Sequence, residues 1–208
     1  MSLLVISCLA CLSLALIGCS GSGDSAGPTE RRLDSTRLAE LELTYEIPAQ
    51  VCQACDEARR LASVDVICPR LIPDVPLTRS AGLWGAIVFH VEPRFYEMTF
   101  NNGGLPGGKR HWITGGGKTK VVEKWVLTDF QNVVEGNPKL VRTLSRSGRR
   151  VSIYHFPPYP AGGPHGDHWA AFIKVGDESV FASPHERCYV EAAIEMALVL
   201  AADLEAAG

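Results

Sequence analysis

This sequence has little with which to span a membrane. Its amino-terminal apolar run, Leu3 to Ile17, is about fifteen residues long, short of the ~20 that a spanning helix needs. No stop-transfer charges follow it; Gly18 to Gly23 is made of small residues that cannot build a core. A basic excess is missing too. The formal net charge is −3, with 20 Lys and Arg against 23 Asp and Glu, so nucleic acid is not an expected partner. A G-x-S-x-G elbow, an H-E-x-x-H helix and an S-x-x-K pattern are all absent, and with them the most legible hydrolase chemistries. There is no internal repeat.

A phosphate cradle is also missing, although "GGLPGGKRHWITGGGKT" at first suggests one. A P-loop needs G-x-x-x-x-G-K-[ST], and Gly103 to Lys109 meets the glycine spacing only to reach Arg110 where a hydroxyl belongs. The second copy, Gly117-Lys118-Thr119, would need its first glycine where Trp112 stands. Flexible Gly-rich hairpin loops are the expectation for this stretch, with Lys109, Arg110, Lys118 and Lys120 as a local basic patch. No cofactor is expected.

What is present begins with an address. Leu3 to Ile17 reads as the apolar region of a signal peptide, and Leu16-Ile17-Gly18-Cys19 resembles the lipobox of bacterial lipoproteins. That resemblance implies that the Cys19 thiol takes a diacylglyceryl group, that the signal is cleaved before it, and that acyl chains hold an extracytoplasmic domain to a bilayer. Met1-Ser2 departs from the pattern in carrying no Lys or Arg. Ser20, after the cysteine, is not the aspartate associated with inner-membrane retention in some Gram-negative bacteria, which leaves the choice of membrane open. The expected organisation is a signal over 1–18, a Gly/Ser tether over 19–34 and a single globular domain over 35–208.

Of seven cysteines, Cys8 and Cys11 would leave with the signal and Cys19 would be lipidated. Cys52, Cys55, Cys68 and Cys188 remain, an even number in an oxidising compartment, and two disulfides follow with three connectivities open. A bridge to Cys188 would close a loop of over a hundred residues, for which chain entropy predicts ~4–5 kcal/mol. Cys52-Gln53-Ala54-Cys55 at the start of a helix also supports a redox reading, because a helix amino terminus stabilises a thiolate.

Hydropathy patterning gives an α+β class. Val51 to Leu61 has helical composition, with Asp56 and Glu57 early and Arg59 and Arg60 late, in accord with the helix dipole. "VDVICPRLIP" reads as a short strand, and "LWGAIVFHV", "RFYEMTFN", "KVVEKWVLTDF", "KLVRTLSR", "RRVSIYHF", "HWAAFIKV" and "SVFAS" as further strands. Turns at Ser147-Gly148 and Gly176-Asp177 predict hairpins, hence antiparallel neighbours. Val190, Ile194, Ala197, Leu198, Ala201 and Leu204 recur at three and four residues and make one apolar stripe. The expected architecture is an antiparallel sheet of about six or seven strands, with an N-terminal helix and a C-terminal amphipathic helix on one face. From Ala58 to Leu204, a proline-bounded "CPRLIP" strand, a meander, "HWAAFIKVGDESVFAS" and a closing helix are similar to small domains on bacterial envelope proteins, including extracytoplasmic parts of anti-sigma-like proteins. No functional residue is implied by that likeness.

Two further constellations offer sites. In "GGPHGDHW", His165, Asp167 and His168, with His185 across a short hairpin, have the residue types for a borderline metal such as zinc or copper, against a plain Pro/Gly loop as the simpler reading. Trp112, Trp125, Tyr154, Tyr159 and Trp169 are suited to lining a shallow apolar groove or to ordinary packing. Glu92, Glu97 and Glu123 on alternating strands read as outer-face residues. The functional expectation is therefore a lipid-anchored, non-enzymatic envelope protein that binds or supports an envelope protein or glycan. Its alternatives are a thiol–disulfide protein using Cys52 and Cys55, and a metal-binding protein using the His165 to His168 loop.

Overall fold

The structure, a computed structural model, describes residues 32–74, 87–101, 111–124, 138–156, 168–184 and 187–208. Two hairpin meanders make one antiparallel sheet. The first is β3 (Ile87–Glu92), β4 (Phe95–Asn101) and β5 (His111–Lys118); the second is β6 (Lys139–Arg146), β7 (Arg149–Phe156), β8 (His168–Val175) and β9 (Glu178–Pro184). Pairing of β5 with β9 joins them, so the seven strands run β3-β4-β5-β9-β8-β7-β6. The class, the antiparallel pairing and the closing helix agree with the sequence expectation.

Both anticipated turns form. At Ser147-Gly148 the two residues have φ of 52° and 74°, the left-handed pair that a two-residue hairpin needs to match strand twist. Gly176, with φ of 60°, opens the β8–β9 turn. Strands β8 and β9 are buried nearly throughout, which is why "WAAFI" and "SVFAS" read as unbroken apolar runs and not as alternation. One face of them lies under the last helix, α4 (Val190–Ala207). There Ile194, Ala197, Leu198, Ala201 and Leu204 of the expected stripe are buried, with Val190 packed at its edge. Ala171 and Ala182, cross-strand partners, meet a helix whose own face carries Ala192, Ala193, Ala197 and Ala201. Small side chains on both surfaces let the backbones approach closely.

Ion pairs flank that contact. Arg146 of β6 bonds Glu191 at 2.9 Å and Glu195 at 3.0 Å, Arg149 bonds Glu205, and Arg70 grips Asp203 through two guanidinium nitrogens. The opposite face buries Phe95, Ile113, Phe156, Ala170, Phe172 and Phe181 with Val122 of α3 (Thr119–Lys124).

Before the sheet, α1 (Ser35–Leu41), β1 (Leu43–Thr44), α2 (Ala49–Leu61) and β2 (Ile72–Pro73) form a small unit against the α4 side. Asp34 caps α1 by accepting from Arg37 N–H at 2.8 Å. "VDVICPRLIP" contributes only Ile72 and Pro73 to a ladder; Val66, Ile67 and Leu71 are buried without regular structure.

Two local expectations are corrected. "HWITGGGK" is a strand with partners on both sides and not a loop: β4 and β9 supply the ladder, and the space its glycines leave is taken by neighbours, the rings of Phe181 and Tyr96 at Gly115 and Gly116 and the backbone of Arg94 and Phe95 at Gly117. A methyl on Gly116 would stand 2.9 Å from Tyr96 Oη. Phe95 and Phe181, which pair with Gly117 and Gly115, stack over the strand on the other face with centroids 6.4 Å apart. The start of "KVVEKWVLTDF" is helical and not extended. After Lys118 the chain turns, with Thr119 N–H donating to Asp177 O at 2.9 Å, and α3 delivers Val122 into the second face. Burial of a valine outweighs the strand preference of a Val-Val pair.

Candidate functional site: an aromatic row at the head of the last helix

Register carries distant residues into one line. Lys139 pairs with His155, His155 with Trp169, and Trp112 with Pro184. The β8–β9 ladder, in which Ala171 faces Ala182, sets Trp169 level with Pro184. Alternation then places Lys139, His155, Trp169, Pro184 and Trp112 on the α4 face, at the end of the sheet where the chain leaves β9. The turn Arg187–Tyr189 brings that chain back over the row and into α4.

Each ring has a neighbour. His155 and Trp169 stack with centroids 4.4 Å apart and planes 22° from parallel. Trp112 meets Tyr189 at 5.4 Å, and the Tyr189 hydroxyl donates to Glu42 Oε2 at 3.3 Å. Arg187 Cζ sits 5.8 Å from the Trp169 centroid, a cation over an indole. Trp112 and Trp169 are themselves buried, at 3% and 8% exposure, so the solvent side of the row is made of half-buried His155 and Tyr189 and exposed Arg187. Trp169 Nε1 is buried and has no hydrogen-bond partner among the described residues.

Trp112 and Trp169 were both legible as groove candidates, and the fold brings them to one face. Tyr154 points to the other face, beside the Phe156 cluster, and Trp125 and Tyr159 lie outside the described residues. His155, Arg187 and Tyr189 carry no sequence signal for this place. Arg187 and Tyr189 sit in a three-residue turn, and His155 is next to last in a strand, far along the chain from Trp112.

Cys55 and Cys68 are bridged, with Cα atoms 5.7 Å apart. The bridge ties α2 to the segment holding Ile67, whose N–H donates to Tyr96 Oη at 3.1 Å. Burial pushes the Tyr96 phenol well above its ordinary range, so it stays protonated and able to donate in turn to Ile67 O. Cys52, one turn earlier on α2, stands outside that bridge, and Cys188 is exposed in the turn before α4.

His165, Asp167, His185, Cys19, Lys109 and Arg110 lie outside the described residues. His168 opens β8, buried on the face away from α4. Among the described residues no group of three or more His, Cys, Asp or Glu is arranged to hold a metal. Glu97 faces His90 across the β3–β4 ladder, Glu92 Oε1 is 3.5 Å from His90 Nε2, and Glu123 pairs with Lys174. Among the described residues no helix is long and apolar enough to cross a membrane. No known protein family, characterised protein or solved structure matches this chain.

Proposed function

We propose that this chain is a bacterial lipoprotein, anchored through Cys19, whose α+β domain binds an extracytoplasmic partner through the aromatic row. The observation that carries the binding reading is the convergence of Trp112, Tyr189, Trp169, His155 and Arg187, from strands β5, β7 and β8 and one turn, at a single rim of the sheet. Stacked rings with polar tips are the residue types that form adaptable, partly wet recognition surfaces. Support for the anchor comes from "LIGC" followed by the Gly/Ser-rich run Ser20 to Gly27, ahead of Asp34, where α1 is capped. Acyl chains worth ~0.8 kcal/mol per buried methylene hold a soluble domain to a bilayer without a spanning helix.

The thiol–disulfide reading needs Cys52 and Cys55 as each other's partners, whereas Cys55 is bridged to Cys68. The binding reading has no such competitor for its residues. For the anchor, Cys19→Ala should leave an uncleaved precursor that takes up no fatty-acid probe; equal labelling of the variant refutes lipidation at Cys19. For the row, titration with solubilised envelope glycan should perturb the resonances of Trp112 and Tyr189, and Tyr189→Ala should abolish the response. A response that survives in Tyr189→Ala places the binding surface elsewhere.

A further inference from the structure

Resting on that binding role, we propose that the Trp169 end of the row is an oxyanion subsite, taking a carboxylate or phosphate group of the ligand between Trp169 Nε1–H and the Arg187 guanidinium. The argument is one of donors without acceptors. An indole nitrogen can only donate, and this one is buried with no acceptor among the described residues, so its desolvation is uncompensated until an acceptor arrives. Two cations stand beside it: Arg187 over the indole ring, and Lys139, the ladder partner of the His155 that stacks on the indole. Arg offers a planar fork suited to two oxygens at once.

The backbone adds to this. Arg187 precedes α4 by three residues, and Tyr189 at the cap gives no side-chain hydrogen bond to the first turn, so the positive end of an 18-residue helix opens on the same rim. Among the described residues the nearby carboxylates are committed elsewhere. Glu191 is held by Arg142 and Arg146 on the β6 side, and Glu42 accepts from Tyr189. Neither neutralises Arg187 among the described residues, and a ligand without an acceptor oxygen would leave the buried indole donor uncompensated.

The indole N–H resonance of Trp169 reads this site directly, as one of only four tryptophans. In ¹⁵N-labelled full-length protein in detergent micelles, titration with inorganic phosphate or with glucuronate at constant ionic strength should move that resonance downfield, and glucose should not. The two anions separate a phosphate source from a carboxylate source. Arg187→Gln, in an exposed turn, should weaken the response by about tenfold or more, the loss expected for a charge-assisted contact. Arg150→Gln, on an exposed strand residue outside the row, should leave it unchanged. No movement of the Trp169 indole with either anion, or an undiminished response in Arg187→Gln, overturns the subsite. If envelope glycan or glucose shifts Trp112 and Tyr189 while the Trp169 indole stays still, the oxyanion subsite fails and the row keeps its binding role.

Discussion

Strands β5 and β8 lie on either side of β9 and are equally buried, yet they are built from opposite materials. β8 fills both faces with its own side chains, Trp169, Ala171 and Ile173 under α4 and Ala170 and Phe172 on the other side. Through Gly115, Gly116 and Gly117, β5 has none to offer, and its neighbours reach over it: Tyr96 on one face, Phe95 and Phe181 on the other. A central strand can thus be held by what surrounds it. The glycines are not slack in the chain, because the space above them is already taken.

The comparison is broken most severely by removing what β8 supplies. Ile173 is fully buried under α4, and Ile173→Ala should destabilise the domain by about 2–5 kcal/mol, read from chemical denaturation with unchanged m-value. The opposite perturbation on β5 should be smaller but of the same sign. Gly116→Ala adds a methyl where Tyr96 Oη would be 2.9 Å away, and overpacking of this kind costs about 1–3 kcal/mol. Pairing it with Tyr96→Phe sharpens the point: if the collision is with the hydroxyl, the double variant should be more stable than the sum of the two single losses predicts. Strict additivity would show that the hydroxyl is not the obstacle and that the methyl collides with Ser179 O, which it would also meet at 2.9 Å.

The smallest effect lies at the flank of α4. Burial raises the Glu191 carboxyl, but hydrogen bonds and charge from Arg146, then Arg142, outweigh it and leave its pKa below the ordinary value of 4.5. A depressed carboxyl contributes stability above its unfolded pKa and loses it as pH falls through the folded one. Glu191→Gln should therefore cost less than about 1 kcal/mol at neutral pH, the pair being well exposed, and the gap from wild type should close on acidification below the unfolded carboxyl range. A gap that stays constant to low pH would mean the pair contributes no charge-dependent stability.

How far the fold was legible depended on where each signal resided. The α4 stripe could be read because Ile194, Ala197, Leu198, Ala201 and Leu204 depend only on helix period, and the Ser147-Gly148 turn because its φ angles follow from local chemistry. "TGGGK" reads as a loop because glycine depletion in strands is a local rule, and the compensation for it sits on β4 and β9. Val121 and Val122 read as strand for the same kind of reason. Of the site, the two tryptophans were visible as residue types, while their partners were not, since nothing local distinguishes Arg187 or Tyr189 from any other turn residue.

Sequence alone therefore determined the α+β class, the hairpin turns and the closing amphipathic helix, because periodicity and turn chemistry are properties of contiguous residues. Only the tertiary structure decided that a glycine run would serve as a central strand, that Cys55 would meet Cys68, and that His155, Trp169, Trp112, Arg187 and Tyr189 would share one rim. The physical reason is that strand order and ladder register are set by long-range pairing, and each register step carries side chains across the sheet to neighbours that the linear sequence does not place beside them.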